Sequence, residues 1–408
     1  MKKCLKLFEN WCGKYGPVFT LNFGPYSLTV LNSPEYIQKL LGSKDMDYFG
    51  KGFIYKPFKP YWQDGLLTSK GEKWKFRRKL LERHIFSFKT LTGYMSIFNE
   101  EGDKLVKQME EIFLDGSEKG IEELLMSASL EIITSATLGK TVAELEAATN
   151  VDITFPSAIN QAKEIIAKRS KEPWLLIDFI WRLHPLSKVE KRCQKTDGCH
   201  LIKNSEQNRQ IGIGINEALL SAGVPVEGVF EESITLICAG YETTASCLHF
   251  LLLFLALHPH HQELCREEVD SIFEDEDLCP SGQLQFKALS KLKHLEMCVF
   301  ETLRLLPTVF LIMRKIEKPL MLEEDLHLDT GSQVMIFVQG LHKNPKYFPN
   351  PEKFIPERFS DEETKARHSY AYIPFAGGQR KCIGYKFAML EVITLSAKLL
   401  RHFVWESE

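Results

Sequence analysis

The sequence lacks a C-x-x-C pair, an internal repeat, a low-complexity tract and a linker rich in Pro, Gly or Ser. The ten cysteines show neither metal-ligand nor disulfide-framework spacing, which argues against a thiol-based metal or redox protein. In a chain of this length they are expected to be reduced thiols of a cytosol-facing protein. Since no composition break divides the 408 residues, residues 1–408 are predicted to form a single domain.

The chain also lacks an excess of one charge. Its 51 Lys and Arg residues against 54 Asp and Glu residues give a formal net charge of −3, which argues against nucleic acid as a general partner. A hydrophobic content of 44% with 26% charged residues is ordinary for a globular protein and sufficient for a large core.

No segment of the sequence is predicted to span a membrane. The segment from Met1 to Trp11 is too short and too charged for a secretory signal or an anchor. The strongest apolar run, Cys247 to Leu257, is far shorter than the roughly 20 residues that a bilayer requires. Extending it backward brings in Glu242, so it is predicted to be a buried core helix.

The pattern of apolar and turn-forming residues predicts a mainly α protein with a minor β region. Val18 to Phe23 and Ser27 to Leu31 suit a β-hairpin, and Ser33 to about Leu41 suits a short helix. Helical patterns dominate from Lys73 to about Leu305, and a second β region is expected between Ile312 and Phe337.

The segment Trp174 to Leu183 is aromatic and apolar, with few charges. Two interpretations are open. It is either an ordinary core helix or an amphipathic surface that enters a membrane interface, with its tryptophans at the level of the lipid headgroups.

The most informative stretch runs from Phe375 to Gly384. Cys382 lies among glycines and cations, just before an apolar run starting at Phe387 that is predicted to be a helix. A helix N-terminus and nearby cations favour thiolate over thiol, and glycines let a flat, bulky group approach the backbone. Such a thiolate suits the axial position of a haem iron. The alternative is a buried structural cysteine in a tight turn.

A second helix is predicted from an N-cap at Ser290 to about Leu306. Glu301 and Arg304 are three residues apart on it and therefore neighbours. Taken alone, they are typical of a solvated ion pair contributing about 0.2–0.5 kcal/mol. Their position ahead of Cys382, with Arg358 in between, makes them more informative.

The segment Ala239 to Thr244 places a glycine and an acid within an apolar helix. The glycine costs about 1 kcal/mol relative to alanine, and a buried acid needs a partner. One interpretation is that the threonine bonds back to the carbonyl of residue 239 while Glu242 forms a private salt bridge. The other is that Thr243 and Glu242 relay protons to an oxygen-binding centre.

Trp74 and Arg78 are four residues apart and share one side of a predicted helix. An indole N–H and a guanidinium together suit a carboxylate such as a haem propionate. The cations around them are expected to be mostly a solvated face that can dock an acidic partner: Lys70, Lys73, Lys75, Arg77 and Lys79.

Together these motifs resemble the cytochrome P450 family of haem-thiolate monooxygenases, collinearly from about residue 17 to 405. The cysteine signature F-x-x-G-x-R-x-C-x-G is matched by Phe375, Gly378, Arg380, Cys382 and Gly384. The other motifs are E-x-x-R at Glu301 and Arg304, the P-E-R-F arginine at Arg358, the oxygen-activating pattern at Ala239 to Thr244, and W-x-x-x-R at Trp74 and Arg78.

The resemblance implies the cytochrome P450 fold, with haem between a long central helix and the cysteine loop. It implies that Cys382 is the axial iron ligand and that Thr243 and Glu242 activate oxygen. A structural triad of Glu301, Arg304 and Arg358 is implied on the proximal side. The implied haem-binding residues, besides Cys382, are Trp74, Arg78, Arg314, Phe375, Gly378, Arg380 and Gly384.

The implied reaction inserts one atom of O₂ into a lipophilic substrate: a fatty acid, a steroid or hormone, or a xenobiotic. The implied cofactor is haem b, with NADPH supplying electrons through NADPH–cytochrome P450 reductase and with cytochrome b5 as a further partner. The implied location is the cytosolic face of the endoplasmic reticulum, with peripheral membrane contact.

Three segments are similar to the animal microsomal branch that includes fatty-acid ω-hydroxylases: Asp64–Trp74, Gly340–Pro345 and Ala371–Phe375. Many members carry a glutamate that esterifies the haem where this chain has Ala239, so a haem held only by the iron–sulfur bond is expected. The cysteine loop has Gln379 rather than the common proline.

The region 194–222 is short for the branch, and the branch's N-terminal anchor is not seen in this chain. The chain is therefore expected to be an incomplete or alternative product, or to rest on the membrane through Trp174–Leu183. These departures keep a second hypothesis open: a haem- or lipid-binding protein that retains the fold with little or no turnover.

Overall fold

Helices dominate the computed structural model, which describes residues 2–23, 26–48, 50–114, 120–147, 155–196 and 215–407. In the N-terminal half the helices are α1 (Lys2–Tyr15), α2 (Pro34–Leu41), α3 (Lys59–Trp62), α4 (Gly71–His84), α5 (Phe88–Gly93), α6 (Met95–Phe113), α7 (Glu122–Leu138), α8 (Val142–Ala147), α9 (Phe155–Lys171), α10 (Asp178–Leu183) and α11 (Leu186–Thr196). In the C-terminal half they are α12 (Ile215–Ser221), α13 (Val226–Leu257), α14 (Pro259–Phe273), α15 (Phe286–Leu289), α16 (Lys293–Leu305), α17 (Val338–His342), α18 (Asp361–Ala366) and α19 (Tyr385–His402).

The strands form one mixed sheet and one separate hairpin. They are β1 (Val18–Phe23), β2 (Tyr26–Leu31), β3 (Gly50–Lys51), β4 (Ile312–Lys315), β5 (Leu320–Glu323), β6 (Leu326–Leu328) and β7 (Gln333–Ile336). The sheet order is β1-β2-β7-β4-β3, in which β2 and β7 are parallel and the other pairs antiparallel, and β5 pairs with β6. The prediction of a mainly α protein with a minor β region is confirmed.

Helix α13 is the centre of the helical part. It packs on α7, α16 and α19, and these contacts bury most of its apolar side chains. Its length and composition alone would allow it to cross a membrane, but half of its most hydrophobic 18-residue stretch is buried inside the protein. Since Leu251 and Leu255 are fully buried in the same cluster as core residues of α16 and α19, the helix belongs to the core, as predicted.

Gly240 is explained by the packing of α13 on α7. A Cβ at this position would lie 2.8 Å from Ile133 Cγ1, closer than side-chain carbons normally approach. The glycine therefore lets the two helices come close.

A buried ion pair ties α4 to α13. Arg77 donates from Nη1 to Glu232 Oε1 at 3.0 Å and to the Gly228 carbonyl at 2.7 Å, and Glu232 also accepts the backbone N–H of Leu66. Burial raises the pKa of Glu232 to about 7, although these hydrogen bonds oppose the rise. Arg77 is therefore an exception to the mostly solvated face expected around Trp74, because it connects two core helices.

One other prediction on helices differs from the structure, and one call lies largely outside the described residues. The helix that carries Glu301 begins at Lys293, so Ser290 is not its N-cap; the Ser290 hydroxyl donates instead to the Lys287 carbonyl at 2.9 Å. The shortened region 194–222 lies largely outside the described residues, which resume with α12 at Ile215.

The segment Trp174–Leu183 is not an ordinary core helix. It consists of a 3₁₀ turn, Pro173–Leu176, followed by α10. Leu175, Leu176 and Trp181 are buried, whereas five large apolar side chains are exposed: Trp174, Ile177, Phe179, Ile180 and Leu183. We call these five residues the apolar patch. The structure favours the amphipathic alternative for this segment, but the expectation that both tryptophans face the interface is wrong, because Trp181 is buried and only Trp174 is exposed.

A buried acid lies between α19 and α7. Glu391 Oε1 accepts a hydrogen bond from Ser129 Oγ at 2.6 Å, and Oε2 has no hydrogen-bond partner among the described residues. Burial raises the pKa of Glu391 from 4.5 to about 8, so the folded protein holds this side chain as a neutral acid at neutral pH.

Glu391→Gln is expected to change how stability depends on pH. The unfolded carboxyl ionises near 4.5 and the folded one near 8, so its contribution is complete below 4.5 and is lost as pH rises toward 8. The variant should therefore gain a few kcal/mol over the wild type at about pH 8 and little at about pH 5. Urea unfolding at both pH values measures this gain. Glu362→Gln, at an exposed acid of α18, is the control, and equal pH profiles for wild type and Glu391→Gln would contradict the assignment.

Candidate functional site

The cysteine lies in a tight loop between a 3₁₀ turn, Gly378–Arg380, and the N-terminus of α19. The backbone N–H of Cys382 donates to the Phe375 carbonyl at 2.8 Å, which closes the loop. The Phe375 ring packs edge-on against Tyr385 with a centroid separation of 4.8 Å, so the two ends of the loop are also joined by an aromatic contact.

Gly378 is required by the backbone of this loop. Its φ is +68°, in the left-handed region, and a Cβ there would lie 1.6 Å from the Leu41 carbonyl oxygen at the end of α2. Gly384 differs, since its φ is −84° and a Cβ would meet only Phe86 ring atoms, at 3.7 Å or more. Within the protein, therefore, only the first of these two signature glycines is fixed by sterics.

The Cys382 side chain is exposed, and yet enough protein surrounds it for burial to raise the pKa of its thiol. Both observations hold for a thiol that faces an internal space rather than bulk water. The backbone N–H groups of Gly384 and Tyr385 and the charge of Arg78 oppose the rise, because each favours the thiolate. The surroundings therefore supply anion-stabilising groups at the sulfur.

A group of four cations, three of them buried, lies near this loop. Arg380 lies over the Trp74 ring at 4.8 Å and Arg78 at 5.9 Å, and Arg314 of β4 is paired in register with Lys51 of β3. Arg380 donates to the carbonyls of Leu66, Leu67 and Ser69, so it fixes the loop to the segment before α4. We call Lys51, Arg78, Arg314 and Arg380 the cation cluster.

The charges within the cation cluster disfavour one another. Burial, and then the charges of Arg314 and Arg78, lower the pKa of Arg380 to about 9. Burial lowers the pKa of Arg314, and burial with Arg314 and Arg380 holds the pKa of Lys51 well below its ordinary value. Lowered pKa values are expected where cations face one another with little anionic charge between them. The cluster therefore suits an anionic group.

Arg78 also has partners of its own in the protein. It donates from Nε to Glu82 at 2.7 Å and from Nη1 to the Lys381 carbonyl at 2.7 Å. It therefore fixes α4 directly to the residue before Cys382, and Trp74, which is buried, lies beneath it.

Glu301 and Arg304 of α16 lie together with Arg358, which belongs to the 3₁₀ turn Pro356–Phe359. Arg304 donates two hydrogen bonds to the Glu301 carboxylate, from Nε at 2.7 Å and from Nη2 at 2.8 Å, and both side chains are fully buried. Arg358 Nε lies 3.4 Å from Glu301 Oε1. The interpretation of Glu301 and Arg304 as a solvated ion pair is therefore wrong.

Arg304 also holds the chain that leads to the cysteine loop. It donates to the carbonyls of His342, Pro351 and Lys353. Burial lowers the pKa of His342 to about 3, so its ring is neutral and Nε2 accepts the N–H of Ile373 at 2.9 Å. This chain of contacts runs from α16 to a residue two positions before Phe375.

On α13, Thr243 bonds back to the Ala239 carbonyl and Glu242 forms a salt bridge, as in the first of the two interpretations of this segment. Thr243 Oγ1 donates to the Ala239 carbonyl at 2.8 Å, and Glu242 Oε1 lies 2.9 Å from Lys163 Nζ of α9. Ala239 and Thr243 are nevertheless accessible in the middle of a buried helix, so this one turn of α13 borders open space.

Sequence reasoning missed Lys51 in the cation cluster. Its only signal is its pairing with Arg314, about 260 positions along the chain, and that register depends on the β3–β4 contact. A lone lysine after a glycine carries no such information.

The comparisons with known proteins agree with this geometry. The sequence profile of the Cytochrome P450 family matches residues 2–408. The chain belongs to the cytochrome P450 family. It is 32% identical to human "Cytochrome P450 4V2" over 97% of this chain and 78% of the relative. It is 31% identical to "Probable cytochrome P450 4aa1" of Drosophila melanogaster, over 99% of this chain and 79% of that relative. It is 30% identical to "Cytochrome P450 4c21" of Blattella germanica, over 96% of this chain and 80% of that relative.

Membership confirms the resemblance, including its similarity to the branch with the fatty-acid ω-hydroxylases. It makes the chain an oxidoreductase of the haem-thiolate monooxygenase class. The residues present fit a haem, because a thiol with thiolate-stabilising neighbours faces an internal space and the cation cluster suits the propionates.

Gly378→Ala is expected to destabilise the cysteine loop, and Gly384→Ala is the matched control. The added Cβ of the first meets a backbone oxygen that cannot rotate away, at a φ that alanine disfavours, so a loss of about 2 kcal/mol or more is expected. The second should unfold like the wild type. Thermal unfolding of both variants, followed by circular dichroism, measures the difference, and equal stability of the two would count against the steric role of Gly378.

Proposed function

We propose that residues 1–408 form one monooxygenase domain that inserts an oxygen atom from O₂ into a lipophilic substrate. The electrons come from NADPH through NADPH–cytochrome P450 reductase, with cytochrome b5 as a further partner. Family membership supports the reaction class, and the accessible thiol of Cys382 in its glycine loop is the observation that carries the proposal. When bound, haem b supplies the redox-active iron at which oxygen is reduced.

In this proposal the cysteine loop holds the thiolate and the cation cluster holds the haem carboxylates. Cys382 would be the ligand of the haem iron, and an ester bond from position 239 is not expected, because that residue is alanine rather than a carboxylate. Arg314, Arg380, Trp74 and Arg78 orient the propionates, and Lys51 is an additional cation there.

Thr243 and Glu242 are proposed to deliver protons. Thr243 Oγ1 donates at rest to Ala239, and rotation of the hydroxyl frees its proton without moving the helix. Glu242 and its partner Lys163 are both partly exposed, so they connect this turn of α13 with solvent. The two residues therefore suit a short route from solvent into the site.

A basic face is proposed to receive the reductase. The contact of Arg78 with the Lys381 carbonyl joins α4 to the cysteine loop, and exposed cations flank it: Lys75, Lys79, Arg83, Lys381 and Lys386. An acidic partner docked there would lie beside the cysteine loop, so the path for electrons would be short.

The apolar patch is proposed to rest on the cytosolic face of the endoplasmic reticulum membrane. Phe179 and Leu183 are 72% and 73% exposed, which costs free energy in water and suits a lipid interface. Such contact would bring lipophilic substrates close to the protein, among which fatty acids are favoured by the branch that the chain resembles.

Turnover with a defined panel tests the proposal. The haem-loaded protein, NADPH–cytochrome P450 reductase and NADPH are incubated with fatty acids, steroids and xenobiotics, and products are identified by mass spectrometry. We expect an oxygenated product from at least one lipid and none from Cys382→Ser. Bound haem without NADPH consumption on any substrate would instead favour a haem- or lipid-binding protein with little turnover.

The same assay tests the proton route. Thr243→Ala is expected to keep consuming NADPH while product falls and peroxide rises, because oxygen is reduced without a correctly timed proton. Thr244→Ala is the control, since Thr244 is buried and its hydroxyl bonds to the Gly240 carbonyl at 2.7 Å. Unchanged coupling in Thr243→Ala would assign proton delivery to other residues.

A further inference from the structure

One short turn of the chain contacts both α13 and the cysteine loop. It consists of residues 65–69, which lie between α3 and α4. The Gly65 carbonyl accepts the backbone N–H groups of Thr68 and Ser69, at 3.0 Å and 2.8 Å, so the turn is closed by its own hydrogen bonds. We call residues 65–69 the linking turn. Because the turn is closed, a contact at one of its residues constrains the position of the others.

The linking turn is held on α13 by a buried carboxylate and by close packing. Glu232 Oε2 accepts the Leu66 N–H at 2.9 Å, and the Glu232 side chain is fully buried. Arg77 of α4 donates to the other carboxylate oxygen at 3.0 Å, which fixes the orientation of the acid. At Gly65 a Cβ would lie 2.5 Å from the Glu231 carbonyl oxygen, so the turn lies directly against the backbone of α13.

The carbonyl groups of the linking turn bind Arg380. The guanidinium donates from Nη2 to the carbonyls of Leu66 and Leu67, at 3.1 Å and 3.2 Å. Both Nη1 and Nη2 donate to the Ser69 carbonyl at 3.0 Å. Leu66 therefore bonds to the acid of α13 through its N–H and to Arg380 through its carbonyl. Because Arg380 belongs to the cysteine loop, this one residue connects the loop with α13.

Arg380 depends on these carbonyls because like charges surround it. It is buried, and it shares the cation cluster with Lys51, Arg78 and Arg314, whose positive charges repel its own. Carbonyl dipoles directed at a guanidinium favour its charge and fix its orientation. The position of the linking turn therefore decides where the charge of Arg380 lies relative to the cysteine loop.

We propose that Glu232 is a positioning residue for the haem site, which fixes the linking turn through Leu66 and so holds Arg380 in place. The inference rests on the proposed function, since Arg380 acts on a haem propionate only when haem is bound. Glu232 itself contacts neither haem nor substrate in this assignment. A cation held beside the haem retains the propionate and favours the iron form with one more electron, so both haem retention and the reduction potential are expected to depend on Glu232.

Haem loss and reduction potential of the haem-loaded variants test this role. In Glu232→Gln one amide oxygen replaces two carboxylate oxygens, so either the Leu66 N–H or Arg77 faces an NH₂ group. Haem transfer to a haem-scavenging globin should be about tenfold faster than in the wild type, and the reduction potential should be lower. Glu231→Gln is the matched control, because Glu231 is the neighbouring acid on α13 and its carboxylate pairs with Lys73 at 2.8 Å. The control should match the wild type in both measurements.

The outcomes separate this inference from the proposed function. A wild type that binds no haem, or that lacks the spectrum of thiolate ligation, would contradict the proposed function. With a haem-loaded wild type, equal haem loss and equal potential in Glu232→Gln and Glu231→Gln would overturn the positioning role alone. A Glu232→Gln protein that unfolds in less urea but keeps the wild-type potential would also overturn it, because Glu232 would then only support the fold.

Two further measurements keep the test independent of whether Glu232→Gln folds. Gly65→Ala displaces the linking turn while both acids stay in place, so it should lower the reduction potential as well, and an unchanged potential would contradict the proposal. In the unmodified haem-loaded protein, the Leu66 N–H lies outside any helix or strand and yet should exchange with solvent as slowly as core amides of α13. Fast exchange at Leu66 would overturn the proposal.

Discussion

The buried ion pair between Glu301 and Arg304 is the interaction on which the rest of the site depends. Removing one partner of such a pair typically costs about 3–5 kcal/mol, because the other charge stays buried without compensation. Through Arg304 the pair holds the carbonyls of the segment that precedes the cysteine loop, and through His342 it reaches Ile373. A loop with little secondary structure of its own is therefore positioned by a rigid frame.

The cation cluster adds a second constraint, because its positive charges repel one another, whereas Glu301 and Arg304 form a paired charge. Cys382 is surrounded by groups that favour a negative charge, while Lys51, Arg314 and Arg380 face one another with lowered pKa values. A ligand with two carboxylates and a metal that binds thiolate relieves both conditions at once. In the proposed site, bound haem would offset this electrostatic cost, so retention of the cofactor and stability of the fold would be linked.

The features that the sequence predicted are those carried by residues close together in the chain. Cys382 ahead of a helix, the first hairpin and the neighbouring positions of Glu301 and Arg304 all follow from local spacing. Contacts across helices and strands did not follow from spacing, and those that were expected, such as Arg358 beside Glu301, came from the family resemblance. The pairing of Arg77 with Glu232 requires knowing that α4 lies on α13.

The bond between the Cys382 sulfur and the haem iron is the central claim, and the absorption spectrum of the reduced protein under carbon monoxide tests it most directly. We expect the red-shifted Soret band of thiolate ligation in the wild type and its loss in Cys382→Ser. A histidine-type spectrum in the wild type, or the same red-shifted band in the variant, would contradict the account.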